Sequence, residues 1–441
     1  VSLRIITARV RVFWESLSTS YWFIPVLMML GSVALCYTCL SVIERAFLPD
    51  FLQPLIPRVT PENVQQLLST VAGAMITFTS IAFSMTLVAL TLASNQFGPR
   101  LIRNFMNDKS TQAVLGIMVS TFLFCLLSLH HLSSIAENQD AISLLAGFTV
   151  FFAIVDCVTI VYFIHHVSRS IQADQVIANC FNAFCSSIDS LLPKPESDSA
   201  HKAVNESWTN TQESFPLVLH ARCSGYVQTI NYASFMAISA VKVSGSEIHV
   251  RSGDHVVKDA KLITLYCKQP VGADAFSDLH DAVVLGSERT PIQDPEFAVS
   301  QLVEIALRAL SPGINDPHTA ITCIDKLTAA CVLICQRDFP ADTLVHNSTE
   351  VWLKRRTFTF EGIVDTAFSQ IRQMAGSHTK VQVHLLNSLA TLQSHCNALA
   401  VNTIMQHANS IYANSQTNTL CGSDRHAIDE AMLPFRRQHD V

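Results

Sequence analysis

NVQQLLSTVAGAMITFTSIAFSMTLVALTLASNQFGP, residues 63–99, contains no Asp, Glu, Lys or Arg. Its apolar body runs from Leu67 to Leu92. Wholly helical, the run would extend roughly 55 Å at 1.5 Å per residue, well beyond the ~30 Å of hydrocarbon in a bilayer. Within it Thr70, Gly73, Thr77, Ser80, Ser84, Thr91 and Ser94 recur at spacings of three and four, interrupted only by Leu87. On a helix that spacing draws one narrow stripe of small, mostly hydroxyl-bearing side chains. Two readings stay open. Small residues let helix backbones approach closely in lipid, and a row of hydroxyls can line a pathway by replacing part of an ion's hydration shell.

Three more charge-poor runs accompany it. Ser16–Ile43 is free of charge and offers a helix over Trp22–Ile43; Ser110–Ala136 has its apolar body at Ala113–Leu132; Ala141–His165 is broken only by Asp156. Each is long enough to cross a bilayer. The first is too long and lacks the small-residue cleavage site expected of a signal peptide. Arg4, Arg9, Arg11, Arg100, Arg103, Lys109 and Arg169 fall on one side of four such crossings, Arg45 and Arg58 on the other. Seven against two places both termini in the cytoplasm. Trp14, Tyr21 and Trp22 suit an interfacial belt at the first entry point.

Beyond residue 165 the composition becomes that of an ordinary soluble protein. Ser168–Leu192 reads as an amphipathic helical connector and Pro193–Ser214 as a linker. Short β-type runs follow at Leu217–Ala221, Tyr226–Ile230, Glu247–Arg251 and Leu262–Tyr266, punctuated by Gly225 and Ser252-Gly253-Asp254, with Tyr232–Val243 helical between them. SGYVQTIN…HVRSGDHVVKDAKLITLY resembles the turn pattern of lipoyl-type carriers, but Lys242 lacks their attachment signature and no covalent cofactor is expected. Residues 277–441 read as helical. Asp294-Pro295-Glu296 and Asn315-Asp316-Pro317 each open a helix, with Asp as N-cap and Pro in the first turn. Further helices are expected at Glu361–Met374 and Lys380–Tyr412, and a loosely ordered polar tail after Leu420.

The predicted fold class is therefore a mainly α membrane protein, with four transmembrane helices followed by a cytoplasmic α+β domain. Its parts are an interfacial N-terminus (1–20), the membrane domain (21–166), connector and linker (167–214), a small β-rich module (215–275), a helical domain (276–420) and the tail (421–441).

The net charge of −6 gives no basic footprint for nucleic acid. Thirteen cysteines, whose one CxxC pair (Cys36 and Cys39) lies inside the first apolar run, show no zinc-site spacing and suit reduced thiols. Adjacent histidines at 130–131 and 165–166 point about 100° apart on a helix and chelate one metal poorly; they read as interfacial polar residues, and no metal is expected. Asp156 is the one carboxylate inside a span. A charge there costs several kcal/mol unless paired, hydrated or protonated, so it is either functional or a hydrogen-bond acceptor from a neighbouring helix. Ser311-Pro-Gly-Ile-Asn-Asp-Pro-His-Thr is the densest polar cluster of the remainder. Ser311, Asn315, Asp316 and His318 are candidates for a ligand or subunit contact, but a helix stop at Gly313 and restart at Asp316 explains the same residues structurally. No phosphate-cradling glycine loop, GxSxG or HExxH is present, and no enzyme is expected.

Two stretches, LASNQFGPRLIRNFMNDKSTQAVLGIMVSTFLF (Leu92–Phe124) and ALSPGINDPHTAITCIDKL (Ala309–Leu327), resemble a family of uncharacterised bacterial predicted membrane proteins, domain of unknown function 2254. SGYVQ and GSERTPIQDPEFAVSQLVEIALRAL extend the resemblance along nearly the whole chain. It implies a bacterial inner-membrane protein and brings no catalytic residues. The leading functional expectation is a homo-oligomeric channel or passive permeation protein for an ion or small solute, with the 70–94 stripe lining its pathway. The alternative is a non-conducting sensor or scaffold whose cytoplasmic domain binds a partner.

Overall fold

A computed structural model describes residues 20–43, 59–98, 101, 105, 108–135, 138–192, 214–236, 242–272, 276–345, 351–396, 398–417 and 421–436. Trp14, the linker from 193 to 213 and the arginines at 4, 9, 11, 45, 58, 100 and 103 lie outside these residues. The chain divides into two compact units that part between Gln175 and Val176.

The first unit is four helices: α1 (Phe23–Ile43), α2 (Pro61–Phe97), α3 (Lys109–Ile135) and α4 (Gln139–Ser170). The 37 residues of α2 confirm a helix of roughly 55 Å. Its start is set by Thr60, whose hydroxyl accepts from Asn63 N–H at 3.5 Å, with Pro61 in the first turn. Its end is set by Gly98 at φ 112°. Asn138 caps α4 by accepting from Asp140 and Ala141 N–H at 3.2 and 3.1 Å. α1, α2 and α4 all pack on α3. The tightest approach is at Gly116 of α3, where an added Cβ would stand 2.5 Å from Met28 Sδ of α1. Facing outward are Leu27, Leu30 and Leu35 of α1, Ile76, Phe78, Ile81, Leu87 and Val88 of α2, and Phe151, Ile154, Val158, Val161 and Ile164 of α4. So wide an apolar sheath is stable in hydrocarbon and not in water.

By length and hydropathy, four described helices can cross a membrane: α2, α3 over Lys109–Ser133, α4, and Pro317–Cys335 in the other unit. In α1 the apolar stretch measured this way, Phe23–Thr38, is shorter, although its 21 helical residues rise about 31 Å.

In the second unit α5 (Ala173–Leu191) precedes eight strands. A five-stranded sheet has the order β1-β5-β3-β8-β7, and a three-stranded sheet the order β4-β2-β6. The strands are β1 (Phe215–His220), β2 (Gly225–Ile230), β3 (Val243–Ile248), β4 (His255–Val256), β5 (Lys261–Cys267), β6 (Val283–Gly286), β7 (Thr343–Val345) and β8 (Trp352–Arg355). Short helices α6 (Tyr232–Met236) and α7 (Ser277–His280) lie between them in sequence. Leu219, Val227, Phe235, Ile263, Val283 and Leu353 share the core of this region. The remaining helices are α8 (Pro295–Ala309), α9 (Pro317–Cys335), α10 (Phe360–Met374), α11 (Thr379–His395), α12 (Ala398–Thr417) and α13 (Gly422–Arg436). α9 packs against α8, α10 and α11, with Ile324, Leu327, Cys331 and Ile334 fully buried. Its mid-helix charges are partnered: Asp325 lies 2.6 Å from His384, and the Lys326 ammonium sits 5.1 Å over the Phe181 ring. Its hydropathy is that of a core helix.

Several expectations need correction. The region after 277 is not all helical, because β6, β7 and β8 fall within it. These strands are three or four residues long, too short to display alternation, and β8 pairs in parallel with β3 about a hundred residues earlier. Tyr232–Val243 is helical only through Met236, and Val243 already opens β3, with residues 237–241 outside the described set. The connector breaks at Ile171 instead of running on from 168. The helix expected over Lys380–Tyr412 is two, divided at Cys396, whose backbone is extended with ψ 156°. The tail is not loose up to Arg436. Ile428, Ala431, Met432 and Phe435 bury one face of α13 at helical spacing, a short apolar stripe hidden among polar neighbours.

Phe435, 1% exposed, should therefore be structural. Phe435→Ala is expected to destabilise the second unit by about 3–5 kcal/mol, whereas Arg425→Ala on the exposed side of α13 should stay within ~0.5 kcal/mol. Thermal unfolding of the full chain in detergent, with protease susceptibility of the C-terminal half, measures the difference.

Candidate functional site

The α2 stripe faces out of the unit. Thr70, Gly73, Thr77, Ser80, Ser84 and Thr91 are exposed, and Ser94 is half-buried. Thr70, Thr77, Ser80 and Thr91 each donate their hydroxyl to the carbonyl four residues back, at 2.7 to 2.9 Å. Each proton is thus held by the helix's own backbone, while the oxygen lone pairs remain directed outward. Nothing lies within 4 Å of a Cβ built on Gly73. Close packing within this unit is accordingly not what the stripe does; that role belongs to Gly116 of α3.

Asp156 faces the opposite way, into the bundle. It is fully buried, with Thr121 of α3 as its hydroxyl-bearing neighbour and Cys125 close by. The acid and the α2 stripe are therefore separate features. Asp156 belongs instead to a buried polar seam. Ser32 of α1 donates to Ser120 O at 2.7 Å, Cys36 meets Ser128 at 3.8 Å, and Thr149 and Thr159 of α4 are buried nearby in sequence. The seam's signal was the i,i+4 pair Ser32/Cys36 and the polar set Ser120, Thr121 and Ser128, which the apolar composition of α1 and α3 obscured.

Toward the end of the bundle Asp108 precedes α3. Its Oδ1 accepts from Ser110 N–H at 3.1 Å, and its Oδ2 accepts from the Thr111 hydroxyl at 2.6 Å and stands 2.6 Å from His166 Nε2 of α4. Of the paired histidines, His166 is thus a hydrogen-bond partner to a carboxylate 58 residues away in sequence.

In the second unit the Ser311–His318 segment is a surface loop between α8 and α9. The left-handed residue is Asn315, at φ 51°, and Gly313 is not left-handed, so the expected stop at Gly313 is corrected. Asn tolerates that conformation through its short polar side chain. Ser311 donates to Arg308 O at 2.6 Å. Asp316 caps α9, accepting from Thr319 N–H at 3.2 Å and from the Thr319 hydroxyl. The Thr319 hydroxyl, joined by backbone N–H groups, holds the Asp316 carboxyl below the usual carboxylate range. His318 is exposed. With its oxygens engaged by Thr319, Asp316 is a helix cap.

The model of the family described as Predicted membrane protein (DUF2254) matches residues 18–391. The chain belongs to this family. Among its relatives are the uncharacterised proteins Rv1290c of Mycobacterium tuberculosis and Mb1321c of Mycobacterium bovis, each 30% identical over 347 residues, covering 76% of this chain. The match spans 65% of the relatives' own length, just under two thirds. No solved structure matches the chain.

The DUF2254 stretch GSERTPIQDPEF builds a clamp. Arg289 places Nε and Nη2 at 2.9 and 2.6 Å from Asp294 Oδ2, while Asp294 Oδ1 accepts from Phe297 N–H at 3.1 Å and so caps α8. Arg251 grips Glu296 through two bonds of 2.9 and 2.8 Å, and Arg356 reaches Asp254 at 2.8 Å. Gly253, at φ 91°, passes so close that a Cβ would lie 2.3 Å from Asp294 Oδ2. Burial pushes the Asp294 carboxyl up, against the opposing pull of Arg289. Asp254, Asp294 and Glu296 are each matched by a guanidinium, so the arrangement locks the 252–254 turn onto the start of α8.

The two caps should separate in stability measurements. Asp294→Ala strands Arg289 beside a buried gap and should cost about 3–5 kcal/mol, whereas Asp316→Ala should cost about 1 kcal/mol. Because its folded pKa is lowered, the charge contribution of Asp316 is present above the unfolded value of ~3.9 and lost as pH falls through the folded one. The gap between wild type and Asp316→Ala should therefore narrow below about pH 3.9, as read by denaturant unfolding of the full chain across pH.

Proposed function

We propose that this DUF2254 protein is a homo-oligomeric channel, or passive permeation protein, of the bacterial inner membrane, working without catalysis. α2 of each copy turns its stripe toward a shared axis. The observation that carries this reading is the outward exposure of Thr70, Gly73, Thr77, Ser80 and Ser84, uncovered by any helix of their own protomer. Hydroxyls whose protons are held by backbone carbonyls offer lone pairs to whatever stands before them, which suits a cation or a hydrogen-bond-donating small solute better than an anion. Asp156, inside each protomer, is not on this pathway. The Lys and Arg distribution supports cytoplasmic termini. Residues 215–436 then form a cytoplasmic domain for assembly and regulation, where the exposed loop with Ser311, Asn315 and His318 offers a ligand or subunit contact.

A non-conducting scaffold is the second reading, favoured by the same back-bonded hydroxyls, since groups already satisfied tolerate a dry neighbour. Ion flux into liposomes containing the purified protein separates the two. The channel reading expects cation flux that falls at least tenfold in Thr77→Leu and Ser84→Leu, and aqueous thiol reagents that modify cysteines introduced at 70, 77, 80 and 84. Absence of flux with inert cysteines establishes the scaffold. Flux untouched by both leucines removes α2 as the lining.

A further inference from the structure

A cavity of about 260 Å³ opens within the first unit, between the start of α1, the C-terminal half of α2, the N-terminal end of α3 and the end of α4. Its walls are mostly apolar, with Phe83, Leu87, Leu90 and Val167 among them, and its polar end holds Asp108 and Tyr21. Two wall residues, Leu87 and Phe83, are also 61% and 43% exposed on the outer face of α2. The cavity thus opens sideways, through the outer face of α2. An apolar cavity of ~150 Å³ is enough to hold benzene, so this one has room for a segment of acyl chain.

The polar end has unused bonding capacity. Asp108 Oδ2 is engaged by Thr111 and His166, but Oδ1 accepts one bond, from Ser110 N–H, and keeps a second lone pair. The buried Tyr21 hydroxyl lies at the same end, with Thr86 as its neighbour. Lys109 and Arg169, neighbours in sequence of the lining residues Asp108 and Ser170, are exposed. An acceptor carboxylate at the polar end, with two exposed cations one residue from the lining in sequence, matches a headgroup that carries both an N–H donor and a phosphate.

We infer that this cavity binds a bilayer phospholipid of the ethanolamine type. Its ammonium donates to Asp108, its phosphate meets Lys109 and Arg169, and part of one acyl chain lies against Phe83, Leu87 and Leu90. A choline head, with no N–H, makes no such bond to Asp108. The site lies inside one protomer and shares Leu87 with the line of the α2 stripe, but its test reads lipid labelling and not conduction.

Photocrosslinking of the full-length protein in phosphatidylcholine vesicles tests it, using phosphatidylethanolamine with a diazirine in the acyl chain and the same acyl chains on a choline head. Label is expected to concentrate on peptides containing 83–90 and 105–111, at least fivefold above the equally lipid-exposed 151–164. The ethanolamine probe should exceed the choline probe about fivefold. Excess unlabelled phosphatidylethanolamine should displace it from the wild-type chain, and Ala89→Phe, which fills the cavity, should abolish the concentration. Asp108→Asn should weaken the head preference while leaving chain labelling in place. Label spread evenly over all outward helix faces, or undiminished by competitor, overturns the site; equal labelling by the two heads overturns the assignment of its ligand.

Discussion

Hydrocarbon offers a backbone no partner but itself, and the four described helices between residues 23 and 170 obey that condition. Each described crossing is an uninterrupted helix, and its backbone caps fall at its ends: Thr60 and Gly98 on α2, Asn138 on α4 and Asp108 at the opening of α3. Once the helices are fixed, α3 organises them. It is the helix against which the other three pack, and Gly116 lets α1 come close enough for Met28 to rest on its backbone. Without a hydrophobic force between helices in lipid, contacts of that kind supply the association.

The same condition explains the hydroxyls. A serine or threonine turned toward lipid needs a partner for its proton, and the carbonyl one turn back is always in reach. Thr70, Thr77, Ser80 and Thr91 all use it on α2, as do Thr79 and Thr149 on buried faces. Back-bonding alone therefore does not distinguish a pathway from a packed or lipid-facing surface. What distinguishes the α2 stripe is the combination of periodicity over seven positions with exposure. That is why aqueous accessibility, and not hydrogen bonding, decides its role.

Features written into adjacent residues were legible before the structure. The spans follow from missing charge, and both Asp-Pro helix starts follow from local capping chemistry, which Asp294 and Asp316 carry out as expected. Features made by residues far apart were not. β8 exists because β3 is there to pair with it, α13 because a core receives Phe435, and the Asp108–His166 pair because α3 and α4 end side by side. The spacing of the stripe was plain from Thr70 to Ser94, but which way it faced depended on where three other helices packed. At the 309–319 loop the error was narrower. A glycine and an asparagine two residues apart were both eligible for the left-handed position, and Asn315 took it because Asp316 must cap the next helix immediately after.

The membrane unit consequently contains two polar systems that face opposite ways. One is the outward row on α2, each proton spoken for by its own helix. The other is the inward seam of α1, α3 and α4, which ends on a fully buried carboxylate beside Thr121. A buried acid retained at several kcal/mol of desolvation must be neutral, hydrated or matched by a bound cation, and none of these requires the outward row to conduct. A mechanism for this family therefore has to account for the interior of the protomer separately from its outer surface. The axis of an oligomer can explain Thr77 and Ser84, but it leaves Asp156 to be explained by what reaches the middle of a single bundle.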